Sequence, residues 1–221
     1  LEAAAREARY GALAKAREEL GAELVLTGHS LEDQAETVML GIARGSGLRS
    51  ISGMAQYDPD RKLFRPLLSL NRATIRQSLD DQNISYWLDP HNQDESFARV
   101  RVRNLLTELD SQLGPGFVSG LAKTAELAAE ASDYLVHQAQ ELEKNARSAA
   151  SAKSVSYSAQ ALAAAHPAVL GQMLKLVCEL AGAKNVSSTQ VSAISRLITD
   201  WHGQKPTQLS GITVERVKDQ L

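Results

Sequence analysis

The sequence predicts an α/β domain followed by a mostly α-helical domain. In the N-terminal half, short apolar runs of strand length alternate with amphipathic segments of helix length, which is the pattern of an α/β fold. After GPGF, residues 114–117, the pattern changes to a long helical repeat. We therefore expect a domain with a parallel sheet in residues 1–114 and a helical domain in residues 115–221, with the boundary near residues 112–118.

Composition is that of an ordinary globular protein. The 221 residues are 43% hydrophobic and 23% charged, with a net charge of -2. This balance does not indicate a nucleic-acid-binding protein, although a local basic patch can hide in it. The single cysteine, Cys178, lies in an apolar segment, which predicts a buried residue and excludes a disulfide framework within one chain. Neither a secretory signal nor a membrane-spanning run is found, so a cytoplasmic location is expected.

The first elements are a helix, a strand and a second helix. The Ala-, Arg- and Glu-rich residues 3–20 predict a helix that ends at Gly21. AELVLT then predicts a buried parallel strand, and Ser30 with Asp33 predicts a capping box at the start of the next helix. The core face of that helix is predicted at spacings of three and four residues: Ala35, Val38, Met39 and Ile42.

Three further segments complete the first domain. KLFRPLL predicts a second strand, and the following SLNRATIRQSLDDQNI predicts another capped helix. A polar loop then leads into a short helix before residue 110. Strand, helix, strand and helix in this order predict the α/β class.

The second domain is predicted to begin with one long helix over about residues 118–149. SAASAKSVS is predicted to be a connector, residues 158–182 and 187–201 further helices, and residues 205–221 a short hairpin. The long helix has a narrow seam of residues spaced by four and three: Leu121, Ala125, Ala128, Ser132, Leu135, Ala139, Leu142 and Ala146.

The loop after the first strand carries the residues best suited to chemistry. His29, Asp33 and Glu36 are spaced so that their side chains can converge at the carboxyl end of that strand, where α/β proteins bind ligands. The helix N-terminus there favours phosphate, and two carboxylates suit a divalent cation or a cationic amine. The alternative is a capping acid beside ordinary surface charges.

Three other segments allow two interpretations each. RGSG, residues 44–47, either ends a helix or shapes a pocket, and LDPHN is first of all typical of a turn. Arg99, Arg101 and Arg103 alternate along the chain. An extended segment would put all three on one side to grip phosphates, whereas a helix would fan them out as a solvated basic face.

Taken together and in this order, these segments resemble the tRNA(Ile)-lysidine synthase family, a group of N-type PP-loop ATPases. The resemblance covers roughly residues 8–112 and rests on GHSLEDQAET, RGSG, RPLL, DPHN and the spaced arginines. Related PP-loop enzymes such as tRNA thiolases share the GH…D…ET segment without the later ones. A thiolase would also usually need reactive cysteines.

The resemblance implies a Rossmann-like PP-loop domain without its first strands. The family's SGGxDS loop, which holds the ATP phosphates, does not occur in these residues. We therefore expect that this chain begins inside a longer protein and that, alone, it binds ATP weakly and is inactive. Asn104 stands where the family more often has His, which leaves the role of that position open.

The implied reaction joins L-lysine to carbon 2 of the wobble cytidine in the CAU anticodon of tRNA(Ile), with ATP and Mg²⁺ and through an adenylated tRNA. The implied partners are that tRNA and free lysine. A homodimer is a candidate assembly, and no membrane partner is expected. A non-catalytic RNA-binding module and another PP-loop tRNA-modifying enzyme are the alternatives.

The resemblance also implies roles for individual residues. Asp33 and Glu36 would recognise lysine, His29 would form the wall of the site or contact phosphate, and Arg101 would be the arginine at the adenylation centre. The implied substrate-binding residues are Arg44, Gly45, Ser46, Gly47, Arg65, Asp89, Asn92, Arg99 and Arg103.

Overall fold

The computed structural model describes residues 2–45, 47–151 and 154–221, and within these ranges all side chains except those of residues 2, 3, 91 and 92. The chain divides into two compact units, Leu1–Glu130 and Ala131–Leu221. The point of division lies inside helix α6 (Phe117–Ala146), whereas the sequence pattern changes just before that helix begins. The first unit is mixed α/β and the second is mostly helical, as the sequence predicts.

The first unit is built around a three-stranded sheet. The described elements are α1 (Glu2–Glu19), β1 (Val25–Leu26), α2 (Leu31–Ala43), α3 (Leu48–Ile51), β2 (Tyr57–Asp58), β3 (Leu63–Phe64), α4 (Arg72–Asp81), a 3₁₀ turn (Pro90–Gln93), α5 (Ala98–Leu113) and the start of α6.

The sheet has the order β1-β3-β2. β1 and β3 pair in parallel, with Val25 opposite Leu63, so the two predicted strands and the parallel pairing are confirmed. The predicted burial of the first strand is wrong, because Leu26 is 65% exposed. β2 pairs with β3 in antiparallel orientation and was not predicted.

The helix ends follow local sequence signals. The amide of Ala22 donates to the carbonyl of Arg17 and that of Gly21 to Glu18, the Schellman pattern, and Gly21 has a positive φ of 62°. The predicted stop of α1 is therefore confirmed. At the start of α2, Ser30 and Asp33 form the predicted reciprocal capping box.

The buried face of α2 is broader than predicted. Ala35 and Val38 are fully buried, but Ile42 is 52% exposed, so the prediction that Ile42 belongs to the core is wrong. Because α2 packs against both α3 and α5, its buried positions also include Gln34 and Glu36. Gln34 holds the turn after α3, since its amide exchanges hydrogen bonds of 2.7 and 3.0 Å with the backbone of Met54.

The second unit has its own apolar core. It contains the end of α6, β4 (Arg147–Ala150), β5 (Val155–Tyr157), α7 (Ala159–Ala163), α8 (Pro167–Leu180), α9 (Ser188–Thr199), β6 (Thr207–Leu209) and β7 (Ile212–Val214). Leu162, Leu170, Met173 and Ile194 are buried at its centre with Cys178, whose predicted burial is confirmed.

Two predictions about this unit are corrected and one is confirmed. The long helix ends at Ala146 and not near residue 149, and the predicted connector is the antiparallel pair β4–β5. The position of β5 is fixed by its last residue, Tyr157. The buried hydroxyl of Tyr157 donates to Glu143, and its backbone forms two hydrogen bonds with Leu221. The predicted C-terminal hairpin is β6–β7. Among the described residues no helix is long and apolar enough to span a membrane.

Candidate active site

An open cleft of about 560 Å³ lies where β1 ends and α2 begins. This is the strand end at which the sequence places its candidate residues. Helix α1, the β1–α2 loop, the first turn of α2 and the first half of α5 line the cleft, with Arg9, Tyr10, Leu13, Thr27, Gly28, His29, Asp33, Phe97, Arg99, Val100 and Arg103.

Asp33 combines a capping role with a place on the cleft wall. One of its oxygens accepts from the Ser30 amide at 2.8 Å and the Ser30 hydroxyl at 3.0 Å, and the other accepts from Nη2 of Arg72 at 2.7 Å. Burial raises the pKa of Asp33, but the Ser30 hydrogen bonds and the Arg72 charge outweigh it, so the pKa lies below its usual value. Asp33 is therefore a fixed anion at neutral pH.

Glu36 is a buried charge held by two arginines. Its Oε1 accepts from Nη2 of Arg72 at 3.1 Å and from Nε of Arg103 at 2.8 Å, and the residue is 0% exposed. The alternative of an ordinary surface charge is therefore wrong for Glu36. Its Oε2 is buried and has no hydrogen-bond partner among the described residues. Glu36 reaches the cleft through Arg103, which lines it.

Arg72 is the residue of this cluster that sequence reasoning missed. It is the first residue of α4, and its side chain contacts both Asp33 and Glu36. Its amide donates to both carboxylate oxygens of Glu32 at 2.9 and 3.1 Å. The sequence signal for its position is local only: an arginine directly after the helix-capping Asn71. Nothing in the sequence links it to acids that lie 36 to 40 residues earlier.

His29 is neutral at the cleft wall. Its Nδ1 lies 2.8 Å from the Thr27 hydroxyl. Burial, together with the charges of Arg65, Arg9 and Arg99, outweighs the attraction of Asp33 and lowers the pKa of His29 to about 4. At pH 7 the imidazole therefore forms hydrogen bonds but supplies no positive charge to a phosphate.

The alternating arginines are helical. α5 begins at Ala98, so the extended arrangement is wrong. Positions four apart share one face of a helix, and Arg99 and Arg103 accordingly line the cleft together. Arg101 projects from nearly the opposite face. It is exposed, and its Nη1 donates to the carbonyls of Glu95 at 2.6 Å and Ser96 at 2.9 Å. These hydrogen bonds stabilise the loop before the helix.

Helix α1 supplies charge that the sequence did not reveal. Arg9 lines the cleft, and the Tyr10 ring lies beneath three guanidinium groups, those of Arg6, Arg9 and Arg61, at 5.2, 5.4 and 5.3 Å from its centroid. Burial raises the pKa of Tyr10, but the charges of Arg6, Arg65 and Arg9 lower it further than burial raises it. The Ala-rich pattern of α1 indicates a helix, and its spacing does not show which face meets a ligand.

Those of the remaining predicted residues that the structure describes do not line this cleft. Arg65 is 4% exposed and its Nη1 donates to the Ala55 carbonyl. Arg44 is the exposed C-cap of α2, and its Nε bonds the Leu40 carbonyl, so RGSG ends the helix here. Gly45 and Gly47 have φ of 62° and 77°. Asp89 is half-buried just before the 3₁₀ turn, and Ser46 and the side chain of Asn92 lie outside the described part of the chain.

The donors do not fit a magnesium site. No group of three potential metal ligands occurs among the described residues. The Asp33 carboxylate and Oε1 of Glu36 already accept hydrogen bonds, so they leave few free oxygen ligands for the six-coordinate shell of Mg²⁺. The cleft instead offers a cationic wall from Arg9, Arg99 and Arg103, and an anionic corner at Asp33.

Two domain families match the chain. The PP-loop domain family matches residues 1–109, and the TilS substrate binding domain family matches residues 158–221. Among curated proteins, a tRNA(Ile)-lysidine synthase from Leifsonia xyli is 42% identical over 97% of this chain and 64% of its own length. Those from Streptomyces coelicolor and Rhodococcus erythropolis are each 41% identical over 97% of this chain and over 61% and 63% of their own lengths.

The cleft lies within the part of the chain that matches the PP-loop family. The chain spans less than two thirds of the length of these relatives. Both domain families occur in this one chain, first the PP-loop domain and then the TilS substrate binding domain. Identity above 40% extends across nearly all of its 221 residues. The chain belongs to the tRNA(Ile)-lysidine synthase family.

Proposed function

We propose that this chain forms part of an ATP-dependent tRNA(Ile)-lysidine synthase, which joins L-lysine to carbon 2 of the wobble cytidine in the CAU anticodon of tRNA(Ile). The separation of charge in the cleft is the observation that carries the proposal. Arg9, Arg99 and Arg103 form a wall suited to phosphate, and the Asp33 carboxylate marks a corner suited to an ammonium group. ATP and tRNA carry the phosphates, and lysine carries the ammonium group.

In the first step, the oxygen on carbon 2 of cytidine attacks the α-phosphorus of ATP, and diphosphate leaves. Negative charge builds up on the phosphate oxygens during this transfer. Cations held in place before the reaction stabilise that charge most effectively. Arg99 and Arg103 are suited to this role because α5 fixes both on one face, and the contact with Glu36 fixes the side chain of Arg103.

In the second step, the ε-ammonium group of lysine loses one proton to water, the resulting amine attacks carbon 2, and AMP leaves. Asp33 would bind the ammonium form and orient it, and it could then accept hydrogen bonds from the developing amine. Neutral His29 lies beside Asp33 in the cleft wall and can accept or donate a hydrogen bond at this stage. Glu36 contributes indirectly, through its ion pairs with Arg72 and Arg103.

Mg²⁺ would enter this reaction as a complex with the ATP phosphates, since the described donors do not form a site for it. The second unit matches a substrate-binding domain, which supports a role for it in holding tRNA. A cytoplasmic location follows from the tRNA substrate. A homodimer is compatible with the proposal but is not needed for it, because the charged groups invoked here all come from one chain.

The test is lysine incorporation by the full-length protein. Radiolabelled lysine, ATP and Mg²⁺ are incubated with a tRNA(Ile) transcript bearing the CAU anticodon, and a methionine tRNA with the same anticodon serves as the matched control. Label in the isoleucine transcript, with an adenylated intermediate when lysine is left out, supports the proposal. Tight tRNA binding without ATP consumption or label would instead identify a non-catalytic RNA-binding module. ATP consumption without lysine label, together with sulfur incorporation when a sulfur donor is supplied, would identify a thiolase.

A further inference from the structure

Two helix N-termini meet beside the cleft, and one arginine joins the acids of the first to the second. The amide of Leu31, the first residue of α2, donates to the carbonyl of Leu70 at 2.9 Å, two residues before α4 begins. Arg72, the first residue of α4, donates through its amide to Glu32 and through Nη2 to Asp33 and Glu36. One residue thus contacts three acids from the first two turns of α2.

The side chains that form these contacts are buried to different extents. The Arg72 and Asp33 side chains are 26% and 18% exposed, whereas that of Glu36 is 1% exposed. A guanidinium presents several donors in a rigid plane, so it can serve two carboxylates at once, which an ammonium group does less well. Among the described side chains, Arg72 is the one that contacts both Asp33 and Glu36.

Without this bridge the two carboxylates would repel each other. Asp33 and Glu36 lie three residues apart on α2, which makes them neighbours on the helix surface. With Arg72 and Arg103 included, the two negative charges face two positive charges, so the cluster is balanced inside the protein. Burial lowers the pKa of Arg72, but the charges of Asp33 and Glu36 raise it above its ordinary value.

We infer that Arg72 is a positioning residue for the reaction, which holds the Asp33 carboxylate in the orientation that receives the lysine amine. The inference rests on the proposed function, in which Asp33 binds that amine. Arg72 itself is not among the residues that line the cleft. It acts through Asp33 directly and, through Glu36, on Arg103.

The experiment compares three variants of the full-length protein. Arg72→Ala removes the bridge, and Arg72→Lys keeps a charge but loses the planar fork. Arg76→Ala removes an exposed arginine one turn further along the same helix and serves as the matched control. For each, kcat and KM for lysine are measured across pH, with and without added guanidinium ion. The Asp33 carboxyl carbon is titrated by NMR in parallel.

We expect Arg72→Ala to lower kcat/KM for lysine at least tenfold at pH 7, with partial recovery in guanidinium, while Arg72→Lys is intermediate and Arg76→Ala matches the wild type. Loss of the cation raises the pKa of Asp33, so its titration midpoint and the acidic limb of the rate profile move to higher pH. The other titratable or charged groups around Asp33 are not substituted in this comparison: Glu32 and Glu36 on α2, His29 in the loop and Arg103 on α5.

Wild-type kinetics together with an unchanged Asp33 midpoint in Arg72→Ala would overturn the inference. If Arg72→Ala does not fold, the comparison of Arg72→Lys with Arg76→Ala decides, and equal behaviour of those two variants overturns it. An inactive wild-type protein would contradict the proposed function instead. The Asp33 midpoint would still show in that case whether Arg72 controls the carboxylate.

Discussion

The Nε atom of Arg103 lies 2.8 Å from Oε1 of Glu36, and this ion pair joins residues 67 positions apart in the chain. It connects α5 to α2 and is sealed from water on the Glu36 side, where the side chain is 1% exposed. Removing one partner of a buried ion pair leaves the other charge without compensation, which costs more than the intact pair contributes. The pair therefore has a testable effect on stability.

We expect Glu36→Gln to lower the free energy of unfolding by about 2 to 3 kcal/mol, somewhat below the cost for a fully buried pair because both arginines reach solvent. Urea unfolding at pH 7 measures the change. Glu19→Gln is the matched control, since Glu19 forms an exposed pair with Lys15 at 3.7 Å and should change stability by less than about 0.5 kcal/mol. Equal losses for the two variants would contradict the assignment of Glu36 to the core.

The contact between α2 and α3 depends on a missing side chain. A Cβ atom on Gly41 would clash with the backbone oxygen of Ser50, which cannot move without shifting α3. Gly41→Ala should therefore destabilise the protein by about 1 to 3 kcal/mol.

The control for this substitution is Gly11→Ala in α1, where a Cβ meets nothing within 4 Å. It should stabilise the protein by about 0.5 to 1 kcal/mol, because alanine is the better helix former. Thermal unfolding of both variants measures the two shifts. A gain in melting temperature for Gly41→Ala would mean that α3 lies further from α2 than described here.

His29 should titrate with a pKa of about 4 in the folded protein. An ordinary histidine titrates at about 6.5, so the unfolded chain takes up the proton first. The contribution of neutral His29 to stability is complete above about pH 6.5 and is lost as the pH falls from there to about 4. NMR titration of the ring measures the midpoint. His29→Gln should remove this part of the acid destabilisation, and a folded-state midpoint near 6.5 would show that the ring is solvated.

The three spaced arginines should divide into two classes. Arg99→Ala and Arg103→Ala should each weaken phosphate-dependent steps about tenfold or more, the effect of losing one charged hydrogen bond. Arg101→Ala should act through the loop that it fastens and change adenylation by less than about threefold, or 0.65 kcal/mol. Single-turnover adenylation and tRNA affinity across salt concentrations separate the two classes, because each lost phosphate contact lowers the salt slope by about one unit.

The helical course of α5 is the reason for this division. The sequence analysis made Arg101 the candidate at the adenylation centre, and a loss of adenylation confined to Arg101→Ala would restore it. Near-equal effects of all three variants would indicate a general electrostatic role, without individual phosphate contacts.

Sequence reasoning succeeded where the signal is local. Ser30 and Asp33 predict a capping box because the two residues that form it are only three positions apart. It failed where a contact joins distant segments. Arg72 contacts Asp33, which lies 39 residues earlier, and the sequence around either residue gives no sign of this contact. β4 was missed for another reason. Its Arg-Ser-Ala-Ala residues have weak strand propensity, and pairing with β5 creates the strand.

The ring of Tyr10 has a consequence for how the cleft keeps its charge. A carboxylate that fixes an arginine in place also cancels its field, as Glu36 does in part for Arg103. An aromatic face attracts a guanidinium through its quadrupole and carries no net charge of its own. Arg6 and Arg9 are thus ordered by Tyr10 without an ion pair among the described residues, whereas Arg61 also pairs with Asp58 at 3.3 Å. Arg9, the one of these arginines that lines the cleft, therefore keeps its charge for an arriving phosphate.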